Sequence, residues 1–341
     1  METALARIPD VTAGEVVPVD ARTRHYERRS RADRTWAQYQ SVWRLFSAWC
    51  DARRLEPMPA SLDTLKAYLT WLADEGRAVA TINTYLAAIC SAHSIAGHSL
   101  DRAPLKSILK GIRRGAKPQR QVAALVGVAI RKMLDEFRLA APADARDGLI
   151  LALGFAGAMR RSELAGLDWQ EQGTGTGYLE RVDGGLKITL VESKGRVGEI
   201  EEIIIPHEDM PSVRGILDAW ERHAALQPGE PLLRAIDKAQ RIGGKAAAVD
   251  RLTDASVARI IKSRVRAHLL ARGESEAFAV AEAAKFSGHS LRAGFCTAAA
   301  VAGIPEWKIR RRSRHRTPAL VARYVRAAEA WTDSGLKGVG F

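Results

Sequence analysis

Five residues between positions 160 and 324 have side chains that together could break a phosphodiester without a metal ion. Tyr324 offers a phenol that could attack phosphorus, and Arg160 and Arg292 could each hold non-bridging oxygens with a planar guanidinium. His289 could accept the phenol proton or bind the phosphate, and His315 could donate a hydrogen bond to a phosphate oxygen. Because a phenol has an ordinary pKa of about 10, nearby cations would favour the reactive phenolate.

The leaving 5′-oxygen needs a proton, and Lys194 in the turn Ser193-Lys194-Gly195 is predicted to supply it. Lys187, on the neighbouring predicted strand, is the alternative. Taken singly, each of these residues also has an ordinary structural explanation, such as a surface lysine or a core tyrosine. The occurrence of all of them in one chain favours the chemical interpretation.

The sequence predicts no cofactor. No cluster of carboxylates typical of a metal-dependent nuclease stands out. Gly243-Gly-Lys245 lacks the preceding spacing of a nucleotide-binding loop and is followed by Ala. We therefore expect chemistry that uses neither metal nor ATP.

The composition predicts a polyanionic partner, with a generic basic protein as the alternative. The 341 residues carry a formal net charge of +13, and neutralising phosphates with Lys and Arg releases counterions from nucleic acid. The three cysteines are widely separated, and the N-terminus lacks the apolar core of a signal peptide. No apolar stretch approaches the roughly 20 residues of a membrane span. These features predict a soluble cytoplasmic protein.

Hydrophobic periodicity divides the chain into a helical part and a mixed part. Helices are predicted at 33–53, 61–75, 79–96 and 103–114, and the first carries an aromatic stripe that we expect in the core: Trp36, Tyr39, Trp43, Phe46 and Trp49. The end of the fourth helix and the segment after it are strongly basic. This basic segment either contacts phosphates or is simply solvated: Lys106, Lys110, Arg113, Arg114, Lys117 and Arg120.

The mixed part contains a predicted hairpin formed by Leu186–Glu192 and Glu199–Pro206. Residues 227–250 are predicted to be a loop. Helices are predicted at 125–138, 143–158, 211–225, 253–272, 275–286, 290–302, 305–312 and 317–329. The fold class is therefore mostly α with a small antiparallel β-sheet.

From about residue 33 to about residue 330 the chain resembles the tyrosine recombinase (phage integrase-like) family. The residues that carry the resemblance are Gly157-Ala-Met-Arg160-Arg-Ser-Glu163-Leu, the hairpin Lys194, His289-Ser-Leu-Arg292, and His315 nine residues before Tyr324. In length and layout the chain is similar to Cre recombinase. Relatives mostly have Leu-Gly before the second histidine, whereas this chain has Ser313-Arg314, within a run of arginines that could add phosphate contacts.

The resemblance implies a C-shaped clamp on double-stranded DNA. The expected layout is a flexible basic arm (1–30), a helical, SAM-like core-binding domain (31–114), a linker (115–121) and a mixed α/β catalytic domain (122–341). It also implies a free monomer that forms a homotetramer on inverted-repeat sites, with a C-terminal tail that docks on a neighbouring protomer. Glu163 would orient the site without reacting.

The implied reaction is strand exchange through a 3′-phosphotyrosyl link and a Holliday junction, in a bacterial, phage or plasmid context. Three alternatives stay open at this point. They are a type IB topoisomerase, a telomere resolvase-like enzyme, and a non-catalytic DNA-binding protein of the same fold.

Overall fold

The computed structural model describes residues 33–116, 123–191, 200–237, 239–243 and 251–332, of which 33, 34 and 326–332 are described by their backbone alone. The chain divides into two compact units, Met1–Arg120 and Gln121–Phe341. None of the helices in the described residues is long and apolar enough to cross a membrane.

The described part of the first unit is helical. A short 3-10 turn at Ala103–Leu105 leads into the last of its helices, and Ser61 caps the second by accepting a hydrogen bond from the Thr64 backbone nitrogen at 3.0 Å. The helices are α1 (Asp33–Asp51), α2 (Leu62–Asp74), α3 (Val79–Ile95) and α4 (Lys106–Gly115). Their positions agree with the sequence prediction within about two residues, the usual uncertainty of a helix end.

Aromatic rings fill the centre of the first unit. The Phe46 ring lies 4.9 Å from the Tyr68 ring, and the Trp49 ring lies 5.0 Å from it, both edge to face. The aromatic stripe of α1 was predicted to be core throughout, and this is correct for Phe46 and Trp49. Trp36, Tyr39 and Trp43 are only half-buried, because helical periodicity defines a face but not how far the neighbouring helices cover it.

The second unit combines helices with one sheet. Its helices are α5 (Gly127–Asp135), α6 (Pro142–Ala156), α7 (Arg161–Ala165), α8 (Pro211–Ala224), α9 (Asp254–Ala271), α10 (Glu276–Ala283), α11 (Ser290–Val301), α12 (Glu306–Ser313) and α13 (Pro318–Thr332). All except α7 were predicted. The five residues of α7 are too few to show a helical period.

The sheet has the order β1-β2-β3-β4, with strands β1 (Leu167–Trp169), β2 (Gly177–Val182), β3 (Gly185–Leu190) and β4 (Glu201–Pro206). The predicted pairing of β3 with β4 is confirmed as antiparallel, and Ile188 lies opposite Ile203. β1 and β2 were missed, and their pairing is parallel, so the sheet is mixed and not purely antiparallel. Residues 227–250, predicted to be a loop, contain isolated bridges such as Ile236 with Ile242 in their described part.

Helix α6 is the centre of the second unit. Leu149, Leu151 and Leu153 are fully buried although they point in different directions around the helix, so α6 is covered on every side. Trp220 of α8 is also buried in this core, and its indole nitrogen donates to the Leu232 carbonyl at 2.7 Å. Because α6 is fixed by packing along its length, its C-terminal end offers a rigid platform for the residues that follow.

Candidate active site

The C-terminal end of α6 carries backbone carbonyls that attract arginines. The last carbonyls of a helix lack intrahelical partners and form the negative end of the helix dipole. Arg312 donates to the Ala156 carbonyl at 2.8 Å, and Arg314 donates to the Gly157 carbonyl at 2.9 Å. Arg292 donates to the Ala158 carbonyl at 3.0 Å. Three guanidinium groups from α11, α12 and the turn after α12 therefore converge on this end of the helix.

Arg160 stands at the N-terminal end of the short helix α7, immediately after this turn. Its backbone nitrogen donates to Glu163 Oε2 at 2.8 Å, and its guanidinium forms an ion pair with Glu163 Oε1. Its other terminal nitrogen lies 3.5 Å from the Arg314 carbonyl oxygen. The guanidinium thus has fixed partners on two sides, while about a quarter of the side chain (26%) remains accessible.

Glu163 is a buried carboxylate held between two arginines. Burial alone would raise its pKa, but Arg314 and Arg160, together with the hydrogen bonds from Arg160, lower the pKa below its ordinary value. Glu163 is therefore ionised at neutral pH, and its carboxylate contacts both the guanidinium and the backbone nitrogen of Arg160.

Arg292 is almost completely buried, with 1% of its surface exposed. Burial first, and then the charges of Arg160 and Arg314, lower its pKa to about 10, so it is still protonated at neutral pH. Its Nε is buried and has no hydrogen-bond partner among the described residues. A buried cationic N–H without an acceptor is costly, and an anion bound beside it would remove that cost.

His315 is oriented by Ser313. The Ser313 hydroxyl donates to the Ile309 carbonyl at 2.6 Å, and its oxygen lies 2.7 Å from His315 Nδ1. Because the single hydroxyl proton is used for Ile309, Nδ1 must carry the proton shared with Ser313, which leaves Nε2 as the free nitrogen. Burial, and then the neighbouring Arg292, His289, Arg160 and Arg323, lower the pKa of His315 to about 3, so the ring is neutral at pH 7.

His289 precedes α11, and its backbone nitrogen donates to the Ser287 hydroxyl at 3.2 Å. Burial is the largest cause that lowers its pKa, followed by the charges of Arg292, Arg323 and Arg160. His289 is therefore an uncharged base within a group of arginines.

Tyr324 lies on α13 and is half-buried. Its ring centroid is 6.2 Å from that of His315, and its phenol oxygen accepts a hydrogen bond from Arg323 at 3.0 Å. The ring packs against a small apolar cluster that includes Cys296 and Val321, which fixes the position of the phenol. Tyr324 therefore packs against the core but is not a fully buried core residue.

The second unit brings together five of the residues predicted for the site. The charges in this group shift one another's pKa values, and its members are Arg160, His289, Arg292 and His315. Tyr324 neighbours His315. Lys194 lies outside the described residues. Its alternative, Lys187, is bound on the sheet to Glu180 at 2.7 Å, and this hydrogen bond raises its pKa.

The predicted phosphate-contact residues all belong to the first unit. Lys106, Lys110, Arg113 and Arg114 lie on α4, and all four are exposed. Lys117 and Arg120 lie outside the described residues.

Sequence reasoning missed the roles of Ser313, Arg314 and Arg323. The arginine run of α12 was interpreted as a source of phosphate contacts, yet the side chains of Arg312 and Arg314 turn inward to backbone carbonyls. The sequence did contain a sign of these roles, because Ser313-Arg314 stands next to the second histidine where the family pattern has Leu-Gly. Within the described part of the chain, no group of three or more His, Cys, Asp or Glu side chains could hold a metal ion.

Comparison with known proteins places this chain in a family. No protein-family model matches the chain. The integrase/recombinase xerD homolog of Selenomonas ruminantium is 31% identical over 317 residues, which cover 90% of this chain and 86% of that protein.

Two solved structures share the fold. One is the XerH site-specific recombinase bound to palindromic difH substrate, with a TM-score of 0.52 and 17% identity over 81% of this chain and 70% of that chain. The other is a lambda integrase dimer bound to a COC′ core site, with a TM-score of 0.54 and 18% identity over 89% of this chain and 92% of that chain. The identity and coverage of the curated relative show that the chain belongs to the tyrosine recombinase family, the class of site-specific DNA recombinases.

Proposed function

We propose that this protein exchanges DNA strands at specific sites through a covalent 3′-phosphotyrosyl intermediate on Tyr324. The observation that carries the proposal is the cluster of arginines around His315, whose ring centroid lies 6.2 Å from that of Tyr324. Within this cluster the Arg292 Nε has no acceptor among the described residues. A phosphodiester would supply the missing negative charge. Phosphoryl transfer depends mostly on positioning and electrostatic stabilisation, and this cluster can provide both.

In the first step the phenol oxygen of Tyr324 attacks phosphorus and the bond to the 5′-oxygen breaks. His289 accepts the phenol proton, and Lys194 donates a proton to the leaving 5′-oxygen. Arg160 and Arg292 hold the non-bridging oxygens, whose charge grows in the transition state. The products are a 3′-phosphotyrosyl link and a free 5′-hydroxyl, so the energy of the original bond is retained.

His315 must gain a proton before it can donate a hydrogen bond to the phosphate. In the DNA-free molecule its Nε2 is an acceptor, since the ring is neutral and Nδ1 carries the proton. Donation to a phosphate oxygen therefore requires an added proton on Nε2. The negative charge of a bound phosphate would stabilise that proton.

Strand exchange follows when the 5′-hydroxyl of a partner strand attacks the phosphotyrosyl link and releases the phenol. Two such exchanges make and then resolve a Holliday junction. The partner is double-stranded DNA with inverted-repeat sites, and the assembly is a homotetramer in which the C-terminal tail, beyond the described residues, docks on the next protomer. The DNA-bound complexes of XerH and lambda integrase support a DNA partner.

The test uses nicked suicide duplexes built from sites that the protein selects from a random-sequence DNA pool. The wild-type protein should form a covalent protein–DNA band, and Tyr324→Phe should form none while binding the same duplex with similar affinity, because only the nucleophilic oxygen is removed. A covalent band in Tyr324→Phe would disprove the assignment. Exchange between two differently labelled sites then separates a recombinase from an enzyme that only relaxes DNA.

A further inference from the structure

Arg314 adopts a backbone conformation that is unfavourable for a residue with a side chain. It follows α12 with φ 54° and ψ 38°, in the left-handed region that glycine enters freely. The resemblance pattern has glycine at this position, directly before the second histidine. A side chain kept here must therefore make contacts that offset the backbone strain.

The Arg314 side chain is buried and makes contacts on several sides. Its Nη1 donates to the Gly157 carbonyl at 2.9 Å, and its Nη2 lies 2.7 Å from Glu163 Oε2 and 3.3 Å from the Ala158 carbonyl. Its Nε lies 3.4 Å from a carboxylate oxygen of Glu201 on β4. One guanidinium therefore joins the turn after α6, the first turn of α7 and the edge strand of the sheet.

Arg314 shares Glu163 with Arg160. Arg160 holds Glu163 Oε1 through its guanidinium and Oε2 through its backbone nitrogen, while Arg314 holds Oε2 from the opposite side. The charge of Arg314 is the largest influence that keeps this buried carboxylate ionised. An ionised Glu163 in turn fixes the guanidinium of Arg160. The chain from Arg314 to Glu163 to Arg160 is continuous and buried up to its last member.

We propose that Arg314 is a positioning residue of the strand-cleavage reaction, which holds the guanidinium of Arg160 in its reactive orientation through Glu163. This rests on the function proposed above, because it assumes that Arg160 binds the reacting phosphate. It adds a third arginine to the site at a position where the family pattern has glycine. It also ties the segment that carries His315 to the segment that carries Arg160.

The test compares Arg314→Gly with wild type in single-turnover cleavage of the suicide duplex at saturating protein. Glycine suits the local backbone, so the variant removes the contacts without adding strain. We expect the cleavage rate to fall about 10- to 100-fold, with DNA affinity within about threefold of wild type, since a small misplacement of a reacting group has effects of this size. Arg222→Ala, the loss of an exposed charge on α8, is the control and should cleave at nearly the wild-type rate.

Two further readouts separate positioning from simple loss of stability. In a Glu163→Gln background, Arg314→Gly should cost less than about threefold, because coupled residues are not additive. In Arg314→Gly alone, the decline of the cleavage rate on the acid side should move to higher pH, since Glu163 loses the cation that lowers its pKa. The proposal would be overturned if Arg314→Gly lowered the cleavage rate equally in the wild-type and Glu163→Gln backgrounds and left the low-pH decline of the rate where it is in wild type.

The outcomes also distinguish this proposal from the one it rests on. If the wild type forms no adduct, the proposed function fails; if the wild type and Arg314→Gly cleave equally fast, only the role of Arg314 fails. Should Arg314→Gly not fold, Arg314→Lys serves instead, because it keeps the charge but cannot bridge Glu163 and the two carbonyls at once. Its rate should fall about tenfold, within the range expected for misplacement, and a wild-type rate would contradict the proposal.

Discussion

The two units of this protein use positive charge in opposite ways. In the second unit Arg292 and Arg314 are buried, and each donates to backbone carbonyls at the end of α6. On α4 of the first unit, the side chains of Lys110, Arg113 and Arg114 are exposed to solvent. Fixed cations can select the geometry of a reacting phosphate. Exposed surface cations instead attract DNA in a way that depends on salt but not on the DNA sequence.

Bringing buried cations together has an electrostatic cost. The mutual repulsion contributes to the lowered pKa of Arg292, about 10, and to the lowered pKa of His289. Glu163 and the carbonyl end of α6 offset part of this repulsion. The positive charge that remains suits a phosphate. A bound phosphate would relieve the repulsion and accept a hydrogen bond from the Arg292 Nε.

The largest effect is expected for the proton donor. Lys194→Ala should slow cleavage by about 10²- to 10⁴-fold, the range for losing a general acid. A substrate with sulfur in the 5′-bridging position has a leaving group that needs no proton, so cleavage of it by Lys194→Ala should be largely restored. Lys187→Ala is the matched control, because Lys187 is held by Glu180 on the sheet. Rescue of Lys187→Ala in place of Lys194→Ala would move the role to Lys187.

The fixed cations come next. Arg160→Ala and Arg292→Ala should each lower the cleavage rate by about 10²- to 10³-fold, as expected for the loss of one charge-stabilising donor. Both should still bind DNA. Arg161→Ala is the matched control, because the Arg161 side chain is exposed and pairs with Asp254 at 3.4 Å. Its loss should leave the cleavage rate nearly unchanged. Rates close to wild type in either of the first two variants would place that arginine outside the reaction.

The exposed cations of α4 should affect DNA binding and not the rate of strand cleavage. Replacing Lys110, Arg113 and Arg114 with Ala should weaken binding to all duplexes alike and flatten the dependence of log affinity on log salt by up to about 0.9 per lost phosphate contact. Filter binding across a salt series measures the slope. The control removes three exposed charges scattered over the second unit: Arg214, Arg222 and Arg272. An equal flattening in the control would mean that net charge alone matters, and altered selectivity would mean that α4 contacts bases.

The smallest effect concerns pH and stability. The pKa of His315 is about 3 in the folded protein and about 6.5 when unfolded, so between these values the unfolded chain binds more protons. Its contribution to stability is therefore lost as pH falls through that window. In His315→Gln the drop in thermal unfolding temperature from about pH 7 to about pH 5 should be smaller than in wild type. A steeper drop would show that His315 is not held neutral.

Much of the fold could be predicted because its signals are local. Long helices such as α1 and α9 show their period directly, β3 alternates apolar and polar residues, and β4 contains the β-branched run Ile203–Ile205. Strand β2 was missed although Asp183-Gly184 joins it to β3, with Gly184 at φ 77°, and Asp-Gly is a strong hairpin signal. Strand β1 has only three residues and cannot show an alternation.

The sequence predicts which residues form the candidate site, but not the contacts that fix them. Arg160, His289, Arg292, His315 and Tyr324 follow from motif spacing. The contact of Arg314 with Glu163 spans 151 positions, and the Ser313 hydroxyl matters only because Ile309 takes its proton. Such contacts depend on tertiary packing, and no local pattern contains them. A positively charged residue in place of glycine was the one visible sign.

The central claim is that Tyr324 itself becomes joined to DNA in a pocket of fixed cations. Its most direct measurement is mass spectrometric mapping of the adduct formed on a nicked suicide duplex in the presence of EDTA. We expect one modified peptide, with Tyr324 linked to the 3′-phosphate of the cleaved strand, and a released strand that ends in a 5′-hydroxyl. An adduct on another residue, a link through a 5′-phosphate, or cleavage that requires added magnesium would contradict this account.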